Sequence, residues 1–293
     1  MNESSSAAQR AIRILGFLAA HPTEAFTLSD LCRRLDLNRA SADRVVRALS
    51  AARFLDRHPR HLTYSLGISL VAVGHAAAVR HPVVAAARRA MEALSGELGL
   101  DCNAVSVDAT GSLVVAETGR GLLGVGARLP PLPMMGLVHA AFAAEERRAA
   151  WLASMRFEAR EADFLRGALA AIAGRGFAAA LRGPVRERVR GELTRLLDTP
   201  EDREARERLR ALWRQASQGE LQLLAIDRSR DYAVAYVSAP VFDSAGQVAL
   251  ELVLRKPPER LTGSQLEALA DRLRDACDGV TQAIHGRAPA AAA

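Results

Sequence analysis

Residues 27–54, TLSDLCRRLDLNRASADRVVRALSAARF, constrain this chain more tightly than any other stretch. Thr27 followed three residues later by Asp30 has the pattern of a capping box, with Ser29 as a second polar starter. Leu28, Leu31, Cys32 and Leu35 recur at helical spacing and leave Arg33 and Arg34 on the opposite side. Asp36 stops that helix, because aspartate tolerates the left-handed backbone of a tight turn. Leu37 then points inward and Asn38 caps a second helix. That helix buries Val45, Val46 and Leu49 and turns Arg39, Ser41, Asp43, Arg44 and Arg47 outward. Two short helices at a tight turn, the second opening on small polar and basic side chains, follow the helix-turn-helix plan.

A helix that enters a major groove about 12 Å wide needs short or flexible hydrogen-bonding side chains at its start. Arg39, Ala40, Ser41 and Arg44 meet that need. An ordinary helical hairpin with a solvated basic face reads the same way, so the next segment matters. Residues 54–58 and 62–66 alternate around Pro59–Arg60, as a β-hairpin does. A helix-turn-helix followed at once by such a hairpin is a winged helix, and Arg57, Arg60 and His61 would reach phosphates or a minor groove. The expected contacts to double-stranded DNA are Asn38, Arg39, Ala40, Ser41, Asp43, Arg44 and Arg47, with Thr27 and Ser29 on phosphates. Arg44 has a rival role, bracing the wing or the first helix. Asp43 either accepts from a cytosine amino group or, as favoured here, orients Arg39 or Arg47.

At 293 residues the chain has room for two domains with substantial cores. Ala7 to Ala20 reads as a supporting helix ended by His21–Pro22, and the winged domain closes near Gly67. Residues 68–80 form a linker helix with more apolar surface than one small domain uses, which suits packing on a counterpart in a second subunit, the alternative being docking on the next domain. Pro82 opens another amphipathic helix. Strands are expected at Cys102–Asp108, Leu113–Thr118, Leu122–Leu129, Leu221–Ile226, Tyr232–Ser238 and Gln247–Leu254, with a short one started by Arg175–Gly176–Phe177. Helices are expected after Met134–Met135–Gly136 through Phe142 to Ala144, from Glu145 to near Met155, over Ala162–Ala173 and, with Thr262 as cap, over Leu261–His285. Residues 184–217, rich in alternating arginine and glutamate, read as a helical hairpin broken at Thr199–Pro200 with salt-bridged surface helices. The whole is an α/β multidomain (α+β) chain: residues 1–67, a linker helix 68–80, a second domain 81–286 containing the insertion 184–217, and a disordered tail 287–293.

The net charge of +6 permits a nucleic-acid partner without proving one, and arginine carries nearly all the positive charge, Lys256 being the only lysine. Cys32, Cys102 and Cys277 are isolated and have no metal-ligand spacing, so neither a metal nor a disulfide framework nor any other cofactor is expected. No apolar run is long enough to span a bilayer and no leader is evident, so the expected location is the cytoplasm, away from membranes. Asp101, Asp108 and Glu117 are strand acids without a partnering carboxylate, nucleophile or metal motif, which argues against an enzyme.

The stretch from Ala7 to Leu66, with Arg44, Leu49, Phe54–Leu55 and Tyr64–Ser65–Leu66–Gly67, resembles the DNA-binding half of IclR-type bacterial transcriptional regulators. Arg175–Gly176–Phe177 and Ala239–Pro240–Val241–Phe242–Asp243 with Gly246 extend the resemblance to the second half. It implies a winged helix, a linker helix and a GAF-like effector domain, assembled as homodimers or tetramers on palindromic operators. It also implies a small-molecule effector held between a curved sheet and the helix after a proline-containing loop. Here that loop and helix read Pro133–Met134–Met135–Gly136–Leu137–Val138–His139–Ala140, lacking most of the polar residues usual in the family. The effector residues expected are Met134, Met135, Gly136 and His139, with Tyr232, Tyr236 and Ser238 from the strand opposite. Adaptable methionines and the scarcity of arginine nearby predict a mostly apolar effector. The competing reading is a filled core, in a regulator that acts through protein contacts.

Overall fold

Ser6 starts the first helix: its hydroxyl accepts from Gln9 N, and Gln9 Oε1 accepts from Ser6 N. The computed structural model describes residues 6–108, 111–119, 124–129, 136–154, 159–216 and 222–289. Helix α1 (Ala7–Ala20) lays Ile14, Phe17 and Leu18 against α2 (Leu28–Arg34) and α3 (Arg39–Ala51), which contribute Leu31, Ala42, Val45 and Val46. Asp36, between α2 and α3, takes the left-handed conformation with φ 48°. Strands β2 (Leu55–Arg57) and β3 (Thr63–Leu66) pair antiparallel. The wing gains a strand that sequence did not suggest, β1 (Phe26–Thr27), set by the pairs Phe26 with Tyr64 and Thr27 with Thr63. At Gly67 a Cβ would lie 2.3 Å from the Arg53 carbonyl oxygen, so only glycine lets the chain leave the wing across the end of α3.

Helix α4 (Ser69–Arg80) buries none of its residues. It meets α5 (Pro82–Leu98) at a 93° bend around His81, with Pro82 in the first turn, where its missing N–H costs nothing. Among the described residues no single helix is long and apolar enough to cross a membrane.

The second domain is built on an antiparallel six-stranded sheet in the order β6-β5-β4-β10-β9-β7. Its strands are β4 (Asp101–Asp108), β5 (Gly111–Thr118), β6 (Arg128–Leu129), β7 (Ala178–Leu181), β9 (Val234–Phe242) and β10 (Val248–Arg255). A two-stranded ribbon joins β8 (Asp231–Tyr232) to β11 (Leu261–Thr262). One sheet face, with Cys102, Ala104, Val237, Ala239, Leu252 and Leu254, packs on Met91 and Leu94 of α5 and on Leu266 and Leu273 of α11 (Gly263–Ala283). Over the other face lies α6 (Leu137–Ala141), clustered through Leu137 and Val138 with Leu165, Leu169 and Ile172 of α8 (Ala159–Arg175). Helix α7 (Glu145–Ser154) runs between these two in sequence.

Several expectations about strands and helices change. Leu261 pairs with Tyr232 in the ribbon and the last helix begins at Gly263, the strand expected over Tyr232–Ser238 is divided between β8 and β9, and the helix expected to reach Ala144 ends at Ala141. Of Leu122–Leu129 only Arg128–Leu129 is a strand, because Ala127 N bonds to Gly124 O in a turn; residues 122 and 123 lie outside the described residues. The described part of Leu221–Ile226 is not a strand: Leu223 N makes one bond to Ala179 O, then the chain bends so that Asp227 N reaches the Tyr232 hydroxyl. The helix expected over Ala162–Ala173 is longer at both ends.

Helices α9 (Pro184–Asp198) and α10 (Arg203–Ala216) form the expected hairpin. Arg208 pairs with Glu192 at 3.1 Å and Glu204 at 3.2 Å, but Val189, Leu193, Leu196, Ala205 and Leu209 also close on Leu129 of β6. At its turn the hairpin touches the winged domain. Asp198 lies 3.1 Å from Arg34 Nη1 and 3.5 Å from His21 Nε2, and Glu201 lies 3.0 Å from Arg13 Nη2.

Candidate nucleic-acid interface and sensor face

The tip of α3 is held from behind by Ala42, Val45 and Val46 and stands clear in front. Asn38 Oδ1 accepts from Ala40 N at 3.1 Å and Ser41 N at 3.3 Å, so that oxygen is committed to the cap. Arg39, Ala40, Arg44 and Arg47 are exposed; Ser41 and Asp43 are half-buried. Arg39 Nη1 donates to Ser29 Oγ at 2.7 Å, which ties the first residue of α3 to the first turn of α2. Arg47 Nε donates to Asp43 Oδ2 at 2.8 Å, and this guanidinium holds the Asp43 carboxyl below the usual carboxylate range. Asp43 therefore orients Arg47, the favoured of its two expected roles. Arg44 is exposed and makes no hydrogen bond or ion pair among the described residues.

Thr27 spends its hydroxyl on the capping box: it accepts from Asp30 N at 3.1 Å and donates to Asp30 Oδ2 at 2.6 Å. Of the two expected phosphate contacts, Ser29 alone is fully exposed. On the wing, Arg57, Arg60 and His61 are all exposed, with the Arg57 guanidinium 5.8 Å from the Tyr64 ring centroid. His58, which the sequence reading passed over, shapes the tip: its Nδ1 accepts from Arg60 N at 3.3 Å and His61 N at 3.1 Å.

On the sheet face beneath α6, the structure brings together part of the expected effector set. Met134 and Met135 lie outside the described residues. Gly136 starts α6, where a Cβ would stand 3.2 Å from Trp151 Nε1. His139 Nδ1 lies 3.7 Å from Glu251 Oε2, with both side chains largely buried. Ser238 is fully buried, and burial pushes the phenol of Tyr236 up from its ordinary value while the Arg186 guanidinium stacks 5.0 Å from its ring. Tyr232 is not part of the group. It sits in the ribbon, packs with the α5 and α11 core and uses its hydroxyl to accept from Asp227 N at 2.9 Å.

Four polar residues that the sequence reading did not place as ligand contacts join this face: Asn103, Glu117, Gln222 and Glu251. Strand register explains three of them, since Ser238 pairs with Val253, Val253 with Asn103, and Asn103 with Glu117, while Glu251 lies two residues from Val253. Burial raises the Glu117 carboxyl above its ordinary value. On the opposite side of the sheet, an open groove of about 410 Å³ between α5 and α11 is lined mainly by alanines. Of its charged lining residues, Arg272 is bonded to Glu97 and lies 3.5 Å from Asp275, which leaves Arg89 at the rim.

Residues 7–59 match the IclR helix-turn-helix domain. An IclR transcriptional regulator from Alicyclobacillus acidocaldarius superposes with a TM-score of 0.66 at 18% identity, over 96% of this chain and 98% of that one. HmgR from Pseudomonas aeruginosa gives 0.58 at 23% identity, over 95% and 98% of the two chains. An IclR homologue from Microbacterium hydrocarbonoxydans, solved with 4-hydroxybenzoate, gives 0.62 at 19%, over 95% and 99%. No curated protein matches the chain. Residues 7–59 are therefore similar to the IclR helix-turn-helix domain, and nearly the whole chain shares the fold of these solved structures.

Proposed function

We propose that this chain, built on an IclR helix-turn-helix domain and carrying the fold of IclR regulators, is a sequence-specific DNA-binding transcriptional regulator. The observation that carries the reading is the front of α3, where Arg39, Ala40 and Arg44 stand exposed on a helix whose back is locked into an apolar core, flanked by the basic wing. Such a tip fits a major groove, with Arg39 or Arg44 suited to the paired acceptors of guanine. Ser29, Arg57, Arg60 and His61 would fix its register on phosphates.

The chain acts as a homodimer in this reading. Ile68, Val71, Val73 and Val79 all lie exposed on or beside a linker helix that buries nothing, and Ile12 of α1 is 68% exposed. An apolar strip of this kind is explained by a second copy, and two copies read a palindrome. The sheet face under α6 is the sensor, taking a small organic molecule with a mostly apolar body and a polar end. Four of the seven expected effector residues (Gly136, His139, Tyr236 and Ser238) gather there, and one fold relative was solved with 4-hydroxybenzoate.

Selection of duplexes from a random pool by the purified chain tests the DNA reading. A recurrent two-fold symmetric sequence is expected, with half-sites about one helical turn (34–36 Å) or a multiple apart. A pool with no enriched sequence would contradict it.

A further inference from the structure

We propose that the sensor face selects ligands whose polar end donates hydrogen bonds, an amine or primary amide, over those ending in a carboxylate. The inference rests on the reading of this face as a sensor and concerns the chemistry it recognises. Three side chains on the face are more than nine-tenths buried and hold an atom with no hydrogen-bond partner among the described residues: Asn103 Oδ1, Gln222 Oε1 and Ser238 Oγ. Glu117 Oε2 and both ring nitrogens of His139 are likewise buried without a hydrogen bond. Leaving such atoms unpaired is costly, so their convergence on one face marks a place where a partner is received. Most of them are acceptors. Carboxylate oxygens and amide oxygens can only accept, and the serine hydroxyl can do either.

The charges facing the site point the same way. Lys256 Nζ pairs with Asp101 at 2.8 Å. Arg255 donates to Thr118 O at 3.3 Å and sits within electrostatic reach of Glu117, although its Nε is unpartnered. Arg186 donates to Leu181 O at 2.8 Å and stacks on Tyr236. Each of these cations is thus held by a backbone carbonyl, a ring or an acid of its own. Among the described residues the ion pair of Glu251 is with His139, at 3.7 Å, too far for a hydrogen bond. A ligand carboxylate would meet both Glu117 and Glu251, and the unpartnered Arg255 Nε belongs to a guanidinium whose charge already acts on Glu117. An ammonium or amide N–H would instead satisfy Glu251, Ser238 and Asn103, while the apolar body lies along Val253 and the buried side of α6.

The test uses the full-length chain without DNA and three probes that share one ring: 4-hydroxybenzylamine, 4-hydroxybenzamide and 4-hydroxybenzoate, followed by calorimetry and thermal unfolding. The amine and amide are expected to raise the melting temperature and to bind at least about tenfold more tightly than the acid, the ratio expected when one paired contact is replaced by an unpaired charge. Glu251→Gln should lower affinity for the amine about tenfold. If that variant does not fold, Ser238→Ala gives the same comparison. Tighter or equal binding of the acid, or binding of none of the three, would overturn the proposal. Duplex selection on the same preparation separates the two readings. A chain that ignores the probes but enriches a palindrome loses only the ligand assignment, and one that binds the amine but enriches nothing loses only the regulator assignment.

Discussion

Arg39 and Arg44 lie five residues apart on one helix and differ in what restrains them. Arg39 is tethered to Ser29, whereas Arg44 extends into solvent with no partner among the described residues. In the proposed complex Arg39 would exchange its bond to the uncharged Ser29 hydroxyl for one to a base edge or to an anionic phosphate, where a charge on both partners strengthens the bond. Helix α2 depends on a different kind of residue. Thr27→Ala removes its cap and is expected to destabilise the winged domain by ~1 kcal/mol, read as a shift in the denaturation midpoint. Asp30 sets the pH dependence of that cap. The Thr27 hydroxyl, helped by Arg33, lowers its carboxyl pKa below the ordinary 3.8. A depressed folded-state pKa gives stability that is complete above the unfolded value and lost as pH falls through the folded one. Melting curves from pH 5 down to pH 2 (roughly the range spanning such a carboxylate) should show an acid loss that Asp30→Asn diminishes. An identical acid profile for that variant would remove Asp30 from the account.

At the scale of elements, the α9–α10 hairpin does more than its alternating charges suggest. Its inner side closes on β6, and its turn sets Asp198 and Glu201 against Arg34, His21 and Arg13 of the winged domain. Each such pair is worth at most about 1 kcal/mol when exposed, so the brace acts through their combination. Asp198→Ala with Glu201→Ala is expected to speed hydrogen exchange in α1 and at the end of α2 while leaving α5 and α11 unchanged. Equal protection in the variant would mean that the contact carries no load. Which elements sequence could reveal follows from where their determinants lie. The helix-turn-helix was legible because caps at Thr27 and Asn38, the break at Asp36 and the spacing of Leu31, Leu35, Val45 and Val46 are all local. Strand β1 was not, because two residues become a strand only when Tyr64 lies opposite Phe26. Residues 222–226 are a short apolar run like that of a buried strand, but their backbone partners are set by Ala179 and by Tyr232, which no local pattern encodes. The same limit hid half of the proposed sensor face. Ser238 and His139 were visible from neighbouring motifs, whereas Asn103, Glu117 and Glu251 reach it by antiparallel register across three strands.

For the whole molecule, the account requires two reading heads at a fixed spacing, and the linker helix is the element available to set it. Sedimentation should give twice the 31.4 kDa chain mass. Val71→Asp with Val79→Asp should return the chain to monomer, since two buried charges in an apolar seam are costly. A monomeric wild-type chain would instead leave those valines unexplained. The central claim, that the tip of α3 reads base edges, is tested most directly by comparing Arg39→Ala and Arg57→Ala on the selected palindrome and on a random duplex at equal salt. Arg39→Ala should lose ~1–3 kcal/mol on the palindrome and little on the random duplex, while Arg57→Ala weakens both alike. Equal losses on the two duplexes for Arg39→Ala, or none on either, would contradict the claim.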